Sequence, residues 1–79
     1  MKAIVWSKDN CAYCDQAKNL LKSKNIEFEE RNIMKDWTKD QLLEAVPNAR
    51  TVPQVFLGNT HVGGFNELRA YLNAQQLNT

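Results

Sequence analysis

The chain is predicted to be an α/β protein of order βαβαββα, a four-stranded mixed sheet with helices packed on its faces. Three observations predict this. Apolar runs at 2–6 and 54–57 are short and partly β-branched, which suits buried strands. Helical spacing follows the first run, with Cys14, Ala17, Leu20 and Leu21 on one face and Asp15, Lys18, Asn19 and Lys22 on the other. Gly58-Asn59 suits a two-residue type II′ turn between Gln54–Leu57 and Thr60–Val62.

Each element has its own local reason. Residues 2–6 form the first strand, and Ser7 to Asn10 a polar loop with Asn10 as the helix N-cap. The first helix runs from Ala12 to Lys24, and Asn25 stops it. Residues 26–33 alternate only in part and carry many charges, the pattern of an edge strand. Thr38 opens a second helix, with Gln41 three residues on in capping-box position. Leu42, Leu43 and Val46 give that helix an apolar face, and Pro47 ends it. Thr60 to Val62 returns as the hairpin partner, and Gly63-Gly64 breaks it. The last helix begins near Asn66 and buries Leu68, Tyr71 and Leu72. The first βαβ unit should be parallel and right-handed. The 79 residues leave room for one small domain, 1–79.

Composition narrows the function. A hydrophobic share of 43% against 24% charged residues is an ordinary globular balance. A net charge of +1 offers no electrostatic case for nucleic acid or an anionic membrane. No apolar run approaches the roughly 20 residues of a spanning helix. Met1-Lys2-Ala3-Ile4 leads straight into a strand, unlike a signal peptide, so a cytoplasmic location is expected.

The chemistry centres on Cys11-Ala12-Tyr13-Cys14, which holds both cysteines of the chain. The pair sits where a strand turns into a helix. Unpaired N–H groups and the helix dipole favour negative charge there, and the thiolate is the reactive form of cysteine. The reading is a dithiol redox site. Lys8 reads either as a solvated loop lysine or as a cation that stabilises the thiolate. A structural zinc site would need four ligands, and His61 is the only other candidate of the preferred kinds. No metal is expected. A c-type haem would need His where Asp15 stands. His61 itself has no acid–base partner in the sequence and reads as a half-exposed strand residue.

Trp6-Ser7-Lys8, Cys11-Ala12-Tyr13-Cys14, Arg50-Thr51-Val52-Pro53-Gln54-Val55-Phe56 and Gly63-Gly64-Phe65 lie in the order and spacing of the glutaredoxins. The chain resembles that family along nearly its whole length. The resemblance implies a thioredoxin-like, glutaredoxin-type fold and glutathione-linked thiol–disulfide exchange. It implies that Cys11 is the nucleophile and Cys14 the resolving thiol. It makes Pro53 a cis-proline beside the cysteines, and Val52, within Thr51-Val52-Pro53, the residue whose backbone pairs with the cysteinyl part of glutathione. Gly64, Phe65 and Asn66 would hold the γ-glutamyl carboxylate, Tyr13 would line the groove, and Lys8 and Arg50 would attract the glycine carboxylate. Glutathione is then a co-substrate. Disulfide-containing or glutathionylated proteins are the partners, ribonucleotide reductase among them, and the protein is expected to act as a monomer.

Two positions depart from the family pattern. Ala12 stands where proline is usual in dithiol members, and Asn66 where aspartate is common. The first bears on redox potential and the second on glutathione affinity. Two rival readings remain open at this level. One is iron–sulfur cluster carriage by two chains contributing Cys11 with two glutathiones. The other is a redoxin that takes electrons from thioredoxin reductase.

Overall fold

The structure, a computed structural model, describes residues 2–77. Its first strand, β1 (Lys2–Ser7), is apolar on both faces and so takes a central place in the sheet. It is followed by α1 (Ala12–Ser23), β2 (Glu27–Asn32), α2 (Lys39–Ala45), β3 (Gln54–Leu57), β4 (Thr60–Gly63) and α3 (Phe65–Leu77). The strand order is β2-β1-β3-β4. β1 runs parallel to β2 and antiparallel to β3, and β3 runs antiparallel to β4. The expected βαβαββα order and mixed sheet are what the chain adopts.

The period-2 alternation of the strands sorts two cores onto the two faces. Ala3, Val5, Val55 and Leu57 meet Ala17 and Leu21 of α1 and Leu68 and Leu72 of α3. Trp6 meets Leu42 and Val46 on the opposite face, with Ile4, Phe56 and Trp37 packed against them. The Trp6 and Trp37 rings stand edge to face at 5.4 Å. Charged β2 is an edge strand, as its sequence predicts.

Several local details differ from the sequence reading. Cys11, not Asn10, is the N-cap of α1; Asn10 instead turns the loop with φ 56. A sulfur can do the work of a capping oxygen here because it accepts the Cys14 N–H. Asn25 does take the left-handed conformation, φ 58, just past the helix end. Strand β2 is shorter by a residue at each end than 26–33, and α3 starts at Phe65 rather than Asn66. Tyr71 is 37% exposed, while Leu68 and Leu72 are buried. On α3 the inward stripe is narrow, and Tyr71 lies at its edge. The capping box of α2 forms in full: Gln41 N–H donates to Thr38 Oγ1, and Thr38 N–H to Gln41 Oε1. Gly58 has φ 62, as the first position of a type II′ turn requires.

The topology brings three segments to one end of the sheet. β1 ends there. Antiparallel β3 begins there, with Gln54 opposite Trp6. β4 ends there, with Gly63 opposite Val55. The loop before Cys11, the segment before Gln54 and the start of α3 therefore meet.

Candidate active site

Cys11 and Cys14 are joined by a disulfide, with their Cα atoms 5.2 Å apart. The N-cap position of Cys11 keeps its sulfur at the helix end. The Cys14 N–H donates to Cys11 Sγ at 3.1 Å. Cys11 is half-buried, whereas Cys14, one turn inside on the apolar face, is 1% exposed. An incoming sulfur can reach only the first of the two. The Cys11 sulfur also stands 3.8 Å from the Val52 carbonyl oxygen. Val52 precedes Pro53 through a cis peptide bond, as the resemblance implies, and Pro53 is buried.

A groove of about 340 Å³ opens beside the disulfide. Its lining brings together Tyr13, Thr51, Val52, Pro53, Gly64, Phe65 and Asn66. The Tyr13 and Phe65 rings lie 6.2 Å apart at 34°, one from each side. Lys8 and Arg50 do not line this groove. They line a neighbouring one of about 190 Å³, which shares Thr51 and Val52 and adds Lys39. Residues far apart in the chain meet in each groove, and that hid this division.

Glu67 is the one charged side chain in the larger groove. Its Oε1 accepts the Gly64 N–H at 2.8 Å, so the helix caps itself at that position. The N–H groups of Phe65 and Asn66 have no acceptor among the described residues. The arrangement joins free donors and a carboxylate at one end with cations at the other. An extended peptide bearing an amino-acid head group and a distant carboxylate matches it.

A polar cavity of about 330 Å³ lies between α1, β2 and the loop before Cys11, and includes Lys8, Asp15, Lys18 and Glu30. Its charges are largely paired. Ser7 Oγ donates to Glu30 Oε2 at 2.7 Å, and Lys18 Nζ donates to the same oxygen at 2.9 Å. The Ser7 hydroxyl first and then Lys18 hold the Glu30 carboxyl below its usual range. Glu30 in turn raises Lys18. Neither cysteine lines that cavity, and its Lys18–Glu30 pair ties α1 to β2.

One contact was not read from the sequence. His61 Nε2 lies 2.8 Å from Gln54 Oε1, and Gln54 Nε2 donates to the Thr51 carbonyl at 2.9 Å. The one signal available was that Gln54 directly follows Pro53.

Comparison with known proteins agrees with this geometry. The Glutaredoxin family model matches residues 3–62. Glutaredoxin 3 of Escherichia coli is 36% identical over 66 residues, covering 84% of this chain and 80% of that protein. Hybrid peroxiredoxin hyPrx5 of Haemophilus influenzae is 40% identical over 67 residues, covering 85% of this chain. The chain spans only 27% of that protein's length. The crystal structure of a buckwheat glutaredoxin–glutathione complex superposes with a TM-score of 0.78 at 28% identity, covering 95% of this chain and 71% of that one. Here the C-x-x-C stands at a helix start beside a cis Val-Pro turn, and the family match spans both: the chain belongs to the glutaredoxin family of thiol–disulfide oxidoreductases.

Proposed function

We propose that the protein is a dithiol, glutathione-dependent oxidoreductase that reduces protein disulfides and glutathione mixed disulfides. The observation that carries this reading is the position of the Cys11 sulfur, 3.8 Å from the Val52 carbonyl at the rim of the groove. The Cys11 thiolate attacks one sulfur of the substrate disulfide. A Cys11–substrate disulfide forms, and the other substrate sulfur leaves as a thiolate and takes up a proton. Deprotonated Cys14 then attacks Cys11 Sγ. The second substrate thiol leaves, and the Cys11–Cys14 disulfide remains. One glutathione thiolate reopens that bond at Cys11, and a second removes the first as glutathione disulfide. Two electrons thus pass from two glutathiones to one substrate.

The groove supports glutathione as the donor. Val52 offers a backbone edge, Phe65 and Asn66 offer free N–H groups, and Glu67 offers a carboxylate to the γ-glutamyl ammonium. Lys8 and Arg50 supply cations for the glycine carboxylate from the adjoining groove. A glutaredoxin of similar structure forms a glutathione complex. Protein partners in this reading carry exposed disulfides or glutathionylated cysteines, with ribonucleotide reductase one of them, in a reducing cytoplasmic setting.

The test supplies the oxidised protein and a small disulfide with glutathione and glutathione reductase in one cuvette, and with thioredoxin reductase in another. Turnover in the first supports the proposal. Turnover only in the second would replace glutathione as donor and leave the dithiol chemistry standing.

A further inference from the structure

We propose that Gln54 and His61 are positioning residues that aim the Val52 N–H at the substrate. The inference rests on the reading that the Thr51–Val52 backbone edge receives the substrate's main chain.

The hydrogen-bond directions follow from chemistry. The Thr51 carbonyl can only accept, so the Gln54 group 2.9 Å away is its NH₂ end. Gln54 Oε1 then faces His61 Nε2 at 2.8 Å, and that nitrogen carries a hydrogen. The link therefore has one sense: His61 donates to Gln54, and Gln54 donates to Thr51. The His61 ring is held in turn against Phe56, 5.0 Å between centroids, its register partner across the hairpin. A side chain anchored on β4 thus fixes a backbone carbonyl in the segment before β3.

That carbonyl belongs to the Thr51–Val52 peptide, which is trans and planar. In such a unit the C=O and the following N–H point in opposite directions. Holding the Thr51 oxygen toward Gln54 sets the direction of the Val52 N–H, away from the strand. The Val52 N–H has no acceptor among the described residues. Residues 51–53 lie outside any strand or helix, so no ladder fixes this plane. The side-chain link does that work. It also accounts for His61, for which the sequence suggested no role.

Gln54→Glu is the sharp test. It keeps the size of the side chain and the acceptor for His61, but at neutral pH it has no hydrogen for the Thr51 carbonyl. With a glutathionylated peptide as substrate, KM should rise roughly three- to ten-fold while kcat stays within about two-fold. His61→Ala should do the same more weakly. Adding it to Gln54→Ala should change nothing further, because His61 acts through Gln54. The amide resonance of Val52 in the free oxidised protein should shift in Gln54→Glu, a readout that needs no substrate. Thermal unfolding confirms that each variant folds. An unchanged KM in folded Gln54→Glu overturns the proposal, as does an unmoved Val52 resonance. A wild-type protein that fails to turn over the glutathionylated peptide would sink the proposed function instead, and the Val52 resonance would still decide the role of Gln54.

Discussion

The Cys14 N–H donates to the Cys11 sulfur at 3.1 Å, so the backbone of one cysteine supports the sulfur of the other. The bond uses the Cys14 backbone N–H and so does not depend on the Cys14 thiol. Charge on Cys11 is favoured by this donor and by the helix end. Burial of Cys14 at 1% exposure works the other way for its own sulfur.

The two cysteines should therefore fail differently. Cys11→Ser should abolish all reduction. Cys14→Ser should keep reduction of glutathione mixed disulfides and lose most reduction of protein disulfides, which need a second thiol. In the reduced Cys14→Ser protein, thiolate absorbance should appear well below the pH of an ordinary thiol, about 8.5. Equal loss in both variants across both substrates would contradict the assignment.

Gly63 and Gly64 should also separate. Gly63 has φ +123, and a Cβ there would meet Glu67 Cβ and Cγ at 3.0 Å. Gly63→Ala should cost about 1–3 kcal/mol of stability in urea unfolding. At Gly64 a Cβ would meet the far end of the Glu67 side chain, Oε1, at 3.1 Å and the Pro53 carbonyl at 3.5 Å, inside the groove. Gly64→Ala should cost less stability and raise KM for glutathione. If the Gly64 variant unfolds more easily than the Gly63 variant, backbone strain is not what Gly63 avoids.

Stability should fall in acid partly through Glu30. Ser7 and then Lys18 depress its carboxyl below the ordinary 4.5, so its contribution is present above that value and lost as pH falls through the folded one. Glu29, lowered by Arg31, adds to the same limb. Lys18 is raised by Glu30, so its contribution is complete below the ordinary 10.5 and fades only as pH climbs past it. Between these limits stability should be level with respect to this cluster. The pair is partly exposed, and Glu30→Gln should cost up to about 1 kcal/mol at pH 7. The cost should shrink at pH 3. A difference that grows toward acid pH, followed by denaturant unfolding, would contradict this account.

Local signals in the sequence were enough for each element and for the capping box of α2, though not for the N-cap of α1, which is Cys11 rather than Asn10. Apolar β-branched runs placed β1 and β3. Thr38 and Gln41 placed the start of α2. Gly58 placed the hairpin. These read correctly because they depend on residues within a turn or two of each other. The Cys11–Cys14 pair was legible for the same reason, since a spacing of three on a helix start places both sulfurs without help from the rest of the chain. The groove residues were legible through motif resemblance, but their division was not. Only the sheet order, with β3 antiparallel beside β1, decides that Val52 meets Cys11 and that Lys8 and Arg50 fall into a separate groove from Tyr13 and Asn66. The same holds for the Glu67 cap on Gly64, which sets the groove's charge, and for the path from His61 through Gln54 to Thr51. Local sequence determines dihedral preferences, periodicity and caps. Which side chains share a surface depends on strand order and register, and those are set when both faces of the sheet bury their apolar rows at once.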